Sequence, residues 1–144
     1  MIYLFLAEGF EEIEALTPVD VLRRAGLEVK TVAVGESKTV KGSHGIEVVA
    51  DILESELGND VPEAIILPGG MPGTINLEKS AIVIDTLVRA MINGSLVCAI
   101  CAAPSILGNC GYLKSKKATC YPGFEEYLDG ATFTNERVDR KSVV

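Results

Sequence analysis

Short continuous apolar runs alternate along the chain with longer stretches in which apolar residues recur at helical spacing. Residues 2–7 (IYLFLA) form the first run, the pattern of a strand buried on both faces. From Glu12 to Ala25, Ile13, Leu16, Val19 and Leu22 fall on one helical face, and Gly26 stops the helix. Residues 27–34 (LEVKTVAV) predict the next strand, giving a βαβ unit whose crossover is right-handed in nearly all proteins. Residues 39–51 alternate around Gly42 and Gly45 and predict a small β-excursion. AIILPGG (64–70) restores the buried-strand pattern and runs into a glycine turn. The pattern over 76–92 (Leu77, Ile82, Ile84, Leu87, Val88, Met91) predicts one helix ended by Asn93-Gly94. SLVCAI (95–100) is another central strand, and 102–109 a short apolar helix. Beyond it the signals are weaker: KKATC (116–120), a short helix over 124–130, the segment 131–139, and a final Ser142-Val143-Val144 that reads as the start of a strand.

The sum of these elements is an α/β fold with helices on both faces of a mostly parallel sheet, organised as a single domain over 1–144. Composition agrees. The chain has 144 residues, enough for one core and short for two. Hydrophobic residues make up 48% with no Trp, four Phe and four Tyr, so the core is aliphatic, as a helix-covered sheet requires. Thirteen Lys plus Arg against twenty Asp plus Glu give a net charge of −7 with no basic stripe, which argues against a nucleic-acid partner. The apolar start carries no basic leader, and Glu8, Glu11 and Glu12 follow it, so it reads as an internal strand rather than a signal peptide or a membrane span. Four cysteines (98, 101, 110, 120) without a secretory signal point to a reducing compartment, the cytoplasm.

Candidate chemistry gathers at three strand ends. Cys101 stands between an apolar strand and a helix opening with Ala102-Ala103-Pro104, at the sheet edge where α/β domains place their sites and near N–H groups that favour a thiolate. Position alone equally fits a buried Cys at a strand end. Leu67-Pro68-Gly69-Gly70-Met71-Pro72-Gly73 has the glycines that let backbone N–H groups approach developing negative charge, although a tight turn would look the same. It lacks the spacing and the Lys-Ser/Thr ending of a phosphate loop. Glu11 and Glu12 suit ordinary first-turn electrostatics. Glu14 differs: it precedes Pro18 by four residues, so its carbonyl loses a helical partner, and a carboxyl reaching Cys101 would share a proton with the thiol.

Gly9-Phe10-Glu11-Glu12-Ile13-Glu14 with Pro18-Val19-Asp20, then Leu67-Pro68-Gly69-Gly70, then Ala99-Ile100-Cys101-Ala102-Ala103-Pro104 together resemble, in order and spacing, the glutamate, glycine and nucleophile-elbow segments of the DJ-1/PfpI family, closest to its DJ-1-like branch. The resemblance runs over essentially the whole chain. It implies a flavodoxin-like three-layer sandwich and a homodimer, with a reactive, oxidation-prone thiol at Cys101, a partner carboxylate at Glu14, and backbone from Gly69, Gly70 and Ala102 around the sulfur. The activities it implies are those of a stress-response protein acting on small electrophiles: glyoxalase-type conversion of methylglyoxal to lactate, protein deglycation, or peroxide sensing. The alternatives are a PfpI-like cysteine hydrolase or peptidase and a noncatalytic chaperone or interaction domain. No organic cofactor and no metal is implied.

The chain departs from that pattern in two places. Many active relatives carry a His just before a Pro near the cysteine, where this chain has Thr119-Cys120-Tyr121-Pro122; Tyr121 or Cys120 stands in its place. The single His, His44, lies in the Gly42-Ser43-His44-Gly45 excursion and reads either as an exposed turn residue or as a contact to the pocket across a dimer. The family usually continues with a further strand and a terminal helix, so the resemblance also implies that both are lacking here. Cys98 and Cys101 spell CxxC, but Cys98 falls inside the strand, which suits neither a redox disulfide nor, with Cys110 and Cys120, a convergent zinc site. Cys120 is the other thiol with a route to Cys101, or to a dimer partner.

Overall fold

In the computed structural model, which describes residues 1–140, five parallel strands form one sheet in the order β5-β2-β1-β6-β7. The strands are β1 (Ile2–Leu6), β2 (Val29–Ala33), β5 (Ile52–Leu53), β6 (Ala64–Leu67) and β7 (Leu96–Ala99). A separate antiparallel hairpin, β3 (Thr39–Lys41) with β4 (Glu47–Val49), is the predicted excursion. Leaving aside the two-residue β5, the order β2-β1-β6-β7 is the flavodoxin-like one, and it reverses direction between β1 and β6. A crevice opens at such a reversal, at the carboxyl ends of the strands.

Side chains alternate across the sheet as the pleat demands. Leu4 and Leu6 point to one face with Phe10, Ala33, and Ala15 and Val19 of helix α1 (Glu12–Arg24). Phe5, Ala7, Ile65 and Leu67 point to the other, where they meet Leu77 of α2 (Gly73–Lys79), Val83, Leu87 and Ala90 of α3 (Ala81–Ile92), and Ile106 and Leu107 of α4 (Pro104–Asn109). The result is three layers, with the β1-to-β2 crossover carried by α1 and the β6-to-β7 crossover by α2 and α3.

Several expectations change in detail. The single helix over 76–92 is two helices, because Ser80 accepts a hydrogen bond from the Val83 N–H at 3.1 Å and caps a new start. The buried stripe of α1 runs through Glu12, Ala15 and Val19, so Ile13, expected on the buried face, is 74% exposed. The short helix over 124–130 is a single 3₁₀ turn, Glu125–Tyr127. Lys117–Ala118 (β8) and Thr132–Phe133 (β9) pair in parallel as a small second ladder. The strand expected at Ser142-Val143-Val144 lies outside the described residues. Among the described residues no helix is long and apolar enough to cross a membrane.

Gly108 of α4 sits so close to the 125–127 turn that a Cβ there would lie 1.9 Å from the Tyr127 carbonyl oxygen. Backbone cannot yield as a side-chain tip can. Gly108→Ala is therefore expected to cost about 1–3 kcal/mol in urea denaturation, and an unchanged midpoint would contradict this packing.

Candidate active site

Segments far apart in the chain end side by side because β1, β6 and β7 are parallel. The loop after β1 leads into α1 and Glu14; the loop after β6 supplies Gly69 and Gly70; Cys101 follows β7. Two hydrogen bonds join the first two segments: the Glu11 N–H donates to the Gly69 carbonyl at 2.9 Å, and the Gly69 N–H donates to the Glu14 side chain at Oε2, 2.8 Å away. The carboxylate is thereby fixed before any ligand arrives.

Cys101 has φ of 62°, a left-handed conformation that costs a non-glycine residue about 1–2 kcal/mol. That turn ends the strand abruptly and holds the thiol beside Glu14, in the manner of a nucleophile elbow. Nothing larger than glycine fits at position 69, where a Cβ would lie 2.6 Å from Cys101 Cβ and 2.7 Å from Glu14 Oε2. Gly70, with φ of 92°, packs equally close on the backbone of Gly9, Phe10 and Glu11. The Ala102 and Gly70 N–H groups face the sulfur and favour its anion. They do not set the balance. Burial first, then the charge and hydrogen bond of Glu14, push the Cys101 thiol above its ordinary value, opposite in sign to the expectation from N–H groups alone.

Cys101, Glu14, Cys98, Cys120 and Tyr121 line one cleft of about 630 Å³. The Tyr121 N–H donates to the Cys101 carbonyl at 2.8 Å, which brings the 119–122 segment against the elbow. Lys117, Arg137 and Arg140 also border this cleft, and nothing in their local sequence had singled them out. A second, more apolar cleft of about 520 Å³ shares Glu14, Cys98 and Ile100 and adds Ile13, Pro18 and Val21.

His44 lies elsewhere. Its ring Nδ1 is 2.9 Å from Glu12 Oε2 and 3.4 Å from Glu11 Oε2, and its backbone N–H donates to Glu12 Oε1 at 2.8 Å. Ser43 Oγ donates to both carboxylates, at 3.1 and 3.3 Å. Glu12 is thus a buried clasp that ties the β3–β4 hairpin to the first turn of α1, two residues from Glu14. Gly42 makes room for it, since a Cβ there would fall 2.3 Å from Glu12 Oε1. First-turn electrostatics did not distinguish Glu12 from Glu11; the Gly-Ser-His excursion facing it was the available signal. Glu11, Glu12 and His44 also bring ligand atoms within 4.8 Å of one another, close enough to hold a metal ion, but the hydrogen bonds above account for the arrangement.

The DJ-1/PfpI family model matches residues 1–144, and the chain belongs to that family. It is 40% identical over 136 residues to Protein DJ-1 homolog B of Arabidopsis thaliana, an alignment covering 93% of this chain and 31% of that protein. The chain therefore spans about a third of the length of this Arabidopsis relative. It is 35% identical over 143 residues to Deglycase PfpI of Pyrococcus furiosus, covering 98% of this chain and 83% of that one. Among solved structures, a mutant of a DJ-1 superfamily protein from Salmonella typhimurium superposes with a TM-score of 0.93 at 34% identity, covering 99% of this chain and 77% of that one.

The clasp has a pH signature. Burial opposes the Glu12 charge, but hydrogen bonds from the His44 ring, its own backbone, and the His44 and Ile46 N–H groups outweigh it and hold the carboxyl at about 2. A depressed carboxyl contributes stability above its unfolded value near 4.5 and loses it as pH falls toward 2, here about 3 kcal/mol at most. The pairing with Glu12, then the charge of Glu11, raise His44, so its contribution is present below about 6.5 and fades as pH rises through the raised value. Glu12→Gln is expected to lower the Tm most near neutral pH, with the gap to wild type closing between pH 5 and 2. A gap constant over that range would contradict the ionised clasp.

Proposed function

We propose that the protein is a cofactor-independent cysteine enzyme of the stress-response type, converting small oxo-aldehydes such as methylglyoxal to their hydroxy acids, and that the same thiol reacts with peroxides. The observation that carries this reading is the Glu14 carboxyl, hydrogen-bonded at once to the Gly69 N–H and to the Cys101 thiol at a left-handed elbow. The relative named a deglycase supports chemistry on reactive carbonyls, the class to which methylglyoxal belongs.

In this reading Cys101 attacks the aldehyde carbon as its proton passes to Glu14, which hands it on to the new oxyanion, so that a neutral hemithioacetal forms and Glu14 is again a carboxylate. The Gly70 and Ala102 N–H groups stabilise the charge that builds beside the sulfur. Glu14 then moves a proton from the former aldehyde carbon to its neighbour while the hydroxyl proton passes to the former ketone oxygen, leaving a thioester of the hydroxy acid. Water cleaves the thioester and restores the thiol. The Gly69 N–H is committed to Glu14, so Gly69 positions the base rather than the substrate. Tyr121, 57% exposed at the cleft, faces the oxo group or the product carboxylate in this scheme.

The hydrolase alternative has less to stand on. Peptide hydrolysis by a Cys-His pair needs an imidazole at the sulfur, and this chain's one His is held by Glu12 and Glu11. A second copy of the chain belongs to the reading as well, seated on the α1 face that leaves Ile13 and Val21 exposed; Ile13→Glu is expected to halve the particle mass in sedimentation, and an unaltered mass would remove that face from consideration. The cytoplasm, a reducing compartment, keeps the four free thiols available.

Purified protein is expected to turn methylglyoxal into lactate, with Cys101→Ser abolishing the reaction and Glu14→Gln lowering kcat by about 10²- to 10⁴-fold. Turnover that survives either substitution at wild-type rate would overturn the mechanism.

A further inference from the structure

The cleft holds a second thiol for which the carbonyl mechanism has no use. Cys120 lines the same cleft as Cys101, is half-buried, and belongs to the segment pinned to the elbow by the 2.8 Å hydrogen bond from the Tyr121 N–H to the Cys101 carbonyl. That bond joins the peptide leaving Cys101 to the peptide entering from Cys120. With standard backbone dimensions it puts the two Cα atoms about 5–6.5 Å apart, inside the span of a disulfide. Cys98 borders the cleft too, but it lies within β7, where the ladder to β6 fixes its backbone. The 119–122 segment is different: it lies outside any strand, between β8 and the 125–127 turn, and among the described residues the Cys120 thiol is held only by the Phe124 N–H, a single bond that rotation toward Cys101 would exchange for the disulfide.

We propose that Cys120 is the resolving thiol for Cys101, so that peroxide oxidation of the site ends in an intrachain Cys101–Cys120 disulfide instead of irreversible overoxidation. The inference rests on the peroxide branch of the reading above. Cys101, as thiolate, attacks the terminal oxygen of a hydroperoxide; an S–O bond forms, the O–O bond breaks, and the departing alkoxide takes a proton from Glu14, leaving a sulfenic acid and an alcohol. The Cys120 thiolate then attacks the Cys101 sulfur; the S–S bond forms, the S–O bond breaks, and hydroxide leaves with a proton as water. Two thiols are oxidised, one peroxide is reduced, and a dithiol reductant reverses the result. A disulfide across the cleft would also close off the nucleophile, coupling carbonyl turnover to the peroxide load.

The test treats dilute protein with a few equivalents of hydrogen peroxide, then alkylates free thiols and maps peptides by mass. Wild type is expected to lose two hydrogens within one chain, with the Cys101 and Cys120 peptides crosslinked and methylglyoxal turnover recovered by dithiothreitol. Cys120→Ser is expected to gain two oxygens at Cys101 and to lose that recovery, while Cys98→Ser and Cys110→Ser keep the crosslink. Cys101 taking up oxygen in wild type while Cys120 stays alkylatable, or a crosslink between chains, overturns the resolving role and leaves the peroxide branch intact. Cys101 left unmodified by peroxide overturns both, and turnover of methylglyoxal by the same sample then shows whether the carbonyl reading survives alone.

Discussion

Everything at this site depends on the parallel pairing of β1, β6 and β7. Parallel strands end on the same edge, so residues near positions 14, 70 and 101, far apart in the chain, meet there. The reversal of strand order between β1 and β6 opens the crevice, and the glycines after β6 fill it with backbone instead of side chain. Because the Glu11 and Gly69 peptides bond to each other and Gly69 then holds Glu14, the carboxyl is set by main chain on one side and by the sulfur on the other. A side chain at position 69 would separate the two groups that the fold brings together.

The electrostatics follow from burial. A half-buried thiol beside a carboxylate resists a second negative charge, which raises the thiol; the two N–H groups at the elbow relieve that cost only in part. The two groups are therefore coupled, because the Glu14 charge adds to the cost of ionising the Cys101 thiol. Such a pair is suited to reactions that need a nucleophile at one moment and an acid at the next. The Glu12 clasp works at one remove from this. By tying the hairpin to the first turn of α1 it fixes the start of the helix that carries Glu14, which explains why so acidic a turn tolerates a fully buried carboxylate.

Much of this was legible from the residue pattern. Continuous apolar runs marked β1, β6 and β7 because strands covered on both faces have no polar side, and the glycine and cysteine segments could be placed at their ends. What the pattern missed has physical causes. Ser80 breaks a helix by side-chain capping inside an otherwise periodic stretch, which hydrophobic spacing does not register. Glu12 takes a buried position from Ile13 because the hairpin's N–H groups, distant in sequence, satisfy its charge. β5, β8 and β9 are two residues each, too short to show alternation. The sign of the thiol's shift depends on how far the sulfur is buried, and that is a property of packing.

The most direct test of the coupling between Glu14 and Cys101 is the pH dependence of Cys101 alkylation in wild type and in Glu14→Gln, followed by peptide mass. With the carboxylate's charge removed, the thiol is predicted to ionise at a lower pH than in wild type, displacing the whole curve toward acid. Superimposable curves would mean that the Glu14 charge does not act on the Cys101 thiol, and would contradict the pairing at the centre of the site.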